Sequence, residues 1–315
     1  MLDQLEQSHL AWNASRYDWM RAAPDREATL IAWSLWILIS SVAAIAGLII
    51  LIGILSSSVA RRNTFNQYII ALVLPDVFFS VSCLVTCVLN SLTSSYFGGA
   101  AWCSWQSFYV VFGFSGSIWM QVVIASEIRA MVHAVHNERF YTQPPLRKVL
   151  AQVAGVYALS AFWASWIFIP SLPIAENAIG GLACLPLAYS AESEMFLWTV
   201  FLLPLLFVPL AIVGGFVLAS RSMHASLDEK TLALLSFFSA ILAVLLFMWL
   251  PTIGLIWLVE PRGLGLWVTI IGGGWSHLQG FVSATLYLRK QDVRQAVAEL
   301  PALRCVVRPW LRLAH

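Results

Sequence analysis

Charge is what this chain has least of. Asp, Glu, Lys and Arg make up 11% of its 315 residues, while hydrophobic residues make up 60%. A soluble domain carries about 25% charged residues, so a soluble globular protein is excluded and a membrane-embedded one is indicated. Histidine is sparse and scattered: of His9, His133, His136, His224, His277 and His315, only His277 falls in an apolar run. A seven-helix membrane hydrolase would need His and acids clustered around a metal, so an enzyme is not expected. No internal repeat is visible, which counts against an inverted-repeat transporter. The last apolar run has no Lys before Lys290. A retinal Schiff base needs a lysine inside the bundle, so no cofactor is expected. The first 28 residues lack the apolar core of a signal peptide, which leaves the first apolar run to act as an uncleaved anchor.

What the chain does have is seven continuous apolar runs: Leu30 to Leu55, Tyr68 to Leu92, Trp102 to Ala125, Val149 to Pro170, Met195 to Ala219, Leu232 to Val259 and Leu264 to Leu288. Each is long enough to cross a bilayer as a helix, and continuity rather than alternation excludes barrel strands. Four of the 18 Lys and Arg residues (Arg16, Arg21, Arg26, Arg262) fall on one side of the membrane so defined; the other fourteen fall on the opposite side. The positive-inside rule makes that basic side cytoplasmic. The expected fold is an all-α, seven-transmembrane helix bundle with its N-terminus outside and its C-terminus inside. It divides into an extracellular segment (1–28), the bundle (29–288), and a cytoplasmic amphipathic helix with a basic tail (289–315).

The third run organises the rest. A helix from Cys103 to Glu127, at about 1.5 Å per residue, spans more than a bilayer core of roughly 30 Å. It puts a thiol at one face and the charged pair Glu127 and Arg129 at the other. Cys184, between the fourth and fifth runs, lies on the same outer side as Cys103. Two thiols near one surface in an oxidising compartment are expected to form a disulfide. Cys83 and Cys87, inside the second run, read as inert small hydrophobes. Cys305 follows the amphipathic segment RKQDVRQAVAEL, where a juxtamembrane Cys is either palmitoylated or an unmodified thiol. Asn13-Ala14-Ser15 is a glycosylation sequon on the outer side.

Asp76 is the only acidic residue inside any run, and a carboxylate at mid-membrane costs several kcal/mol unless it is protonated, paired or hydrated. Reckoned by depth, Asp76, Ser117, Gln279 and Ser283 reach one level and form a polar pocket. That pocket holds either a neutral acid sharing hydrogen bonds or a hydrated, ion-binding carboxylate. A proton or cation path through Asp76 is the transporter or channel alternative. In the sixth run Pro251 follows Trp249, giving either a static kink or a hinge. Aromatic residues at the outer ends of the third and seventh runs (Trp102, Trp105, Tyr109, Trp267, Trp275) either face lipid or line a site for an apolar small molecule.

NQYIIALVLPD in the second run, Cys103 with Cys184, FMWLP in the sixth run and the seventh run with its amphipathic continuation resemble the G protein-coupled receptor superfamily. LQGFVSATLYLRKQDVR is similar to cyclic-AMP-receptor-like and secretin-like receptors, whereas LPD and WLP are similar to rhodopsin-like ones. The chain departs from the rhodopsin-like pattern at Glu127-Ile128-Arg129, where Asp/Glu-Arg-Tyr is usual. It departs again at Ser283 to Tyr287, which keeps only the Tyr of Asn-Pro-x-x-Tyr, and near Gly47, where an Asn is usual. The resemblance implies a plasma-membrane receptor that couples an extracellular ligand to a heterotrimeric G protein, with no nucleic-acid partner. Trp249, Pro251, Tyr287, Glu127 and Arg129 would form its activation switch.

Overall fold

The computed structural model describes residues 26–169, 175–179, 182–187, 191–222, 229–255 and 266–301. Asn13 and Cys305 lie outside the described residues. The long helices are α1 (Arg26–Ser56), α3 (Thr64–Thr93), α4 (Gly99–His136), α5 (Leu146–Ala164) and α8 (Glu229–Gly254). Shorter pieces complete the chain. Helix α2 (Ser58–Arg62) sits between α1 and α3, and a 3₁₀ turn (Ser165–Phe168) ends α5. Helix α6 (Ala191–Phe196) runs into a π-helical stretch (Leu197–Phe207) and then α7 (Val208–Ser222). After α8 come α9 (Leu266–His277), α10 (Gln279–Tyr287) and α11 (Gln291–Ala298). Two strands, β1 (Ala175–Ile179) and β2 (Ala183–Leu187), pair antiparallel, with Ala178 opposite Cys184.

Six of these stretches are long and apolar enough to cross a membrane: α1, α3, α4, α5 with its 3₁₀ end, Glu194–Phe216 and Leu232–Thr252. Helix α4 has 38 residues and outruns the expected Trp102 to Ala125. Glu127, Arg129 and His133 lie in this extension, since charged residues end an apolar run without ending a helix. The seventh run differs more. It is two helices end to end, interrupted at Leu278, whose N–H bonds to Trp275 O at 3.2 Å, a three-residue turn. The first part of the fifth run is π-helical and contains Pro204, which has no N–H to place in a regular ladder. The paired strands between α5 and α6 were not expected from the sequence.

Apolarity does not say which face points inward. Helix α1 exposes Leu38, Ile45 and Ile52 while burying Trp33, Trp36, Ala43, Ile50 and Ile54. Between helices in lipid the attraction comes from close packing and polar contacts rather than from water exclusion. Ile50, Leu72, Met120, Ile124 and Val293 belong to one packed core near the basic end.

Helix α11 is the expected amphipathic segment. It lies with Val293, Ala296 and Val297 buried. Val297 rests on Gly53 of α1, where a Cβ would come within 2.7 Å of Val297 Cγ2. Asp292 at its start accepts from Asn63 Nδ2 at 2.9 Å and from Asn66 Nδ2 at 2.8 Å, and pairs with Lys290 Nζ at 2.6 Å. Burial opposes charge on Asp292. The Lys290 hydrogen bond and charge, with both Asn amides, outweigh it and hold the carboxyl below the usual range. Burial pulls Lys290 below the ordinary lysine value, against the hydrogen bond and charge of Asp292.

Candidate functional site

At the end opposite the basic one, Cys103 of α4 is disulfide-bonded to Cys184 of β2, their Cα atoms 5.2 Å apart. Gln106, one turn along α4, accepts from the Cys184 N–H at 2.8 Å and from the Tyr96 hydroxyl. Trp33 of α1 donates to Leu182 O at 3.1 Å. The strand is therefore tied to two helices. Beneath it lies a cavity of about 140 Å³ walled by β2, the π-helical stretch and α1, α3, α4, α8 and α9. Phe79, Tyr109, Phe114, Phe201 and Trp249 supply much of its surface, and among the described residues its lining includes no Asp, Glu, Lys or Arg. Of the outer aromatics singled out from sequence, only Tyr109 lines this cavity. Trp102 packs on Phe97 and Trp105 on Phe78, Trp267 is exposed, and Trp275 packs on Phe247.

Below the cavity a chain of polar side chains leads to Asp76. The Trp249 indole N–H donates to Gln279 Oε1. With its oxygen thus engaged, Gln279 presents Nε2 to Asp76 Oδ1 at 3.2 Å. Ser117 Oγ donates to the same oxygen at 2.9 Å. Helix α4 comes this close because Gly113 and Gly116 lie against Pro75 and Phe79 of α3. A void of about 10 Å³ lies among Asp76, Ser80, Trp249, Ser276 and Gln279, which is the size of roughly one water.

Three of the four expected pocket residues thus meet at one carboxylate. Ser283 is buried one turn further along α10 than Gln279.

Glu127 and Arg129 do not form a pair. Two residues apart on a helix they point about 160° apart. Glu127 is buried against α5, 2.5 Å from Lys148 Nζ and 2.9 Å from Gln152 Nε2, while Gln152 Oε1 accepts from Tyr68 OH at 2.7 Å. Arg129 is exposed and lies over the Phe216 ring, 5.0 Å from its centroid.

Cys83, read from the sequence as a small hydrophobe, has a polar partner in the bundle. Its Sγ lies 2.7 Å from His277 Nε2, and both residues line the cavity. The only sequence signal was the isolated His277 in an apolar run, and its spacing to Cys83 carries no periodic information. Among the described residues no three His, Cys, Asp or Glu side chains are grouped to hold a metal ion.

No protein-family model matches the sequence, and no curated protein matches it. The backbone does have counterparts among solved structures. Squid rhodopsin aligns with a TM-score of 0.73 over 92% of this chain and 87% of that one, at 12% identity. Identity that low shows a likeness of fold alone: the chain shares the helical bundle of squid rhodopsin.

Proposed function

We propose that the protein is a receptor of the plasma membrane that passes an extracellular ligand signal to a cytoplasmic heterotrimeric G protein. One observation carries this reading. Trp249 lines the apolar cavity and is also the first member of the hydrogen-bonded chain that ends at Asp76. A ligand in the cavity that favours one position of Trp249 therefore shifts the relation of α8 to α10 and α3, which is all that a two-state receptor requires.

The lysine and arginine bias supports the disulfide end as the outer one. Helices α9 and α10 together then make the seventh crossing. The described lining, which is without charged residues, favours a neutral, mainly apolar ligand. Asp76 is read here as holding a water rather than sodium, because Gln279 turns an N–H donor toward it and the void is small. Pro251, two residues beyond Trp249 inside α8, is the proposed hinge. Arg129, exposed at the basic end, is the proposed contact for the G protein.

The test is nucleotide exchange by a panel of G proteins with the full chain in lipid nanodiscs. Exchange above that of empty discs, altered by Trp249→Phe and by Pro251→Ala, is the expected result. Exchange equal to empty discs for every G protein overturns the reading. An ion flux in proteoliposomes that is lost in Asp76→Asn would replace it with a transporter.

A further inference from the structure

Cys83 of α3 and His277 of α9 come together across 194 residues of sequence, with Sγ and Nε2 separated by 2.7 Å. The other ring nitrogen decides which atom donates. His277 Nδ1 lies 2.5 Å from Gly273 O, and a backbone carbonyl can only accept, so Nδ1 carries the hydrogen. In the neutral ring Nε2 then presents a lone pair, and the Cys83 thiol donates to it. The ring is held on its faces as well. Trp36 stacks on it with centroids 5.7 Å apart and planes inclined by 7°, and the Phe79 centroid lies at 4.8 Å. Trp36 reaches this position because residue 273 is Gly: a Cβ there would come within 2.6 Å of its Cζ2.

A thiol, a base in contact with it, and a third group orienting that base make up an activated nucleophile. This one forms part of the wall of the apolar cavity. The geometry points to Cys83 as a covalent capture site for a neutral, apolar α,β-unsaturated carbonyl compound. In that step Cys83 Sγ bonds to the β-carbon as the carbon–carbon double bond opens. The electron pair moves to the α-carbon and carbonyl oxygen. The thiol proton passes to His277 Nε2 and returns to the α-carbon, so thiol and alkenal sum to one thioether with nothing released. An addition without a leaving group suits a cavity whose described lining has no charged side chain, since no ionic fragment has to depart. The inference uses the cavity but not G protein coupling, so either can fail without the other.

The experiment is mass mapping of the full chain in nanodiscs after exposure to trans-2-nonenal and borohydride trapping, with melting temperature followed for each variant. The adduct is expected on Cys83 in the wild type and in Cys87→Ser, and absent from that position in Cys83→Ser. His277→Gln, folded by its melting curve, should form it at least about ten-fold more slowly, because general-base help is worth that much or more. An unchanged rate in His277→Gln, or a wild-type adduct absent from Cys83, overturns the proposal. Should His277→Gln fail to fold, the wild type still decides. Cys87 Sγ lies 3.7 Å from Cys83 Sγ one turn along the same helix, and a Cys83 to Cys87 adduct ratio near one overturns the idea, whereas a ratio above about ten supports it.

Discussion

Ser117 Oγ donates to Asp76 Oδ1 at 2.9 Å, and this single bond joins the middle of α4 to α3 just after Pro75. With Gln279 Nε2 on the same oxygen, the carboxylate accounts for two buried donors from two other helices. Asp76→Asn keeps an acceptor for both and is expected to fold with little change in melting temperature while altering nucleotide exchange. Asp76→Leu leaves both donors without a partner and is expected to cost about 1–3 kcal/mol. Melting curves of the detergent-solubilised variants check both outcomes.

The Cys103–Cys184 bond closes a loop over 81 residues and holds β2 above the cavity. Cys103→Ala and Cys184→Ala should each destabilise the fold by about 2–5 kcal/mol, and the double variant should cost no more than either alone. Surface expression and melting temperature are the readouts. Recovery of both thiols free in the wild type, on non-reducing peptide mapping, would contradict the bond itself.

Gly53 and Val297 mark where α11 docks on α1. Val297 Cα is 3.2 Å from where a Cβ on residue 53 would stand, and the backbone cannot yield as a side chain can. Gly53→Leu should therefore release α11 from the bundle with the other helices in place. A cysteine introduced at Val293, fully buried in the native chain, should react slowly in the parent and at least about ten-fold faster with Gly53→Leu, as for a locally opened segment.

Docking of α11 should also depend on acid. The carboxyl of Asp292 is held below its ordinary value in the folded chain. Its contribution is then fully present above the ordinary carboxylate range near pH 4. It is lost as pH falls through the depressed value. The same thiol-reactivity assay, run from pH 6 downward with an acid-tolerant reagent, should show release at the low end. Asp292→Asn should raise the reactivity at pH 6 and flatten the acid dependence.

Much of the architecture follows from hydropathy. Lipid demands long helices with internally satisfied backbones, so the runs that became α1, α3, α4, α5 and α8 stand out by length alone. The amphipathic α11 stood out for the opposite reason, because its polar and apolar positions separate by helical period. Asp76 was legible as well: the price of a carboxylate in lipid makes it conspicuous, and depth reckoned from Cys103 placed Ser117 at its level.

Inward-facing positions were not legible, and neither were the pairs they make. Where both lipid and protein interior are apolar, periodicity has no sign. Leu38 is exposed and Ile50 buried on one helix of nearly uniform composition. Only the packed bundle separates Gln279, which reaches Asp76, from Ser283, one turn further along α10. Only rotation about α4 sends Glu127 to Lys148 and leaves Arg129 exposed. Cys83 meets His277 because Gly273 admits Trp36 against the imidazole. The Asp76–Gln279 and Cys83–His277 contacts join residues some 200 positions apart, and they depend on how closely two backbones approach, a distance that no local pattern of side chains encodes.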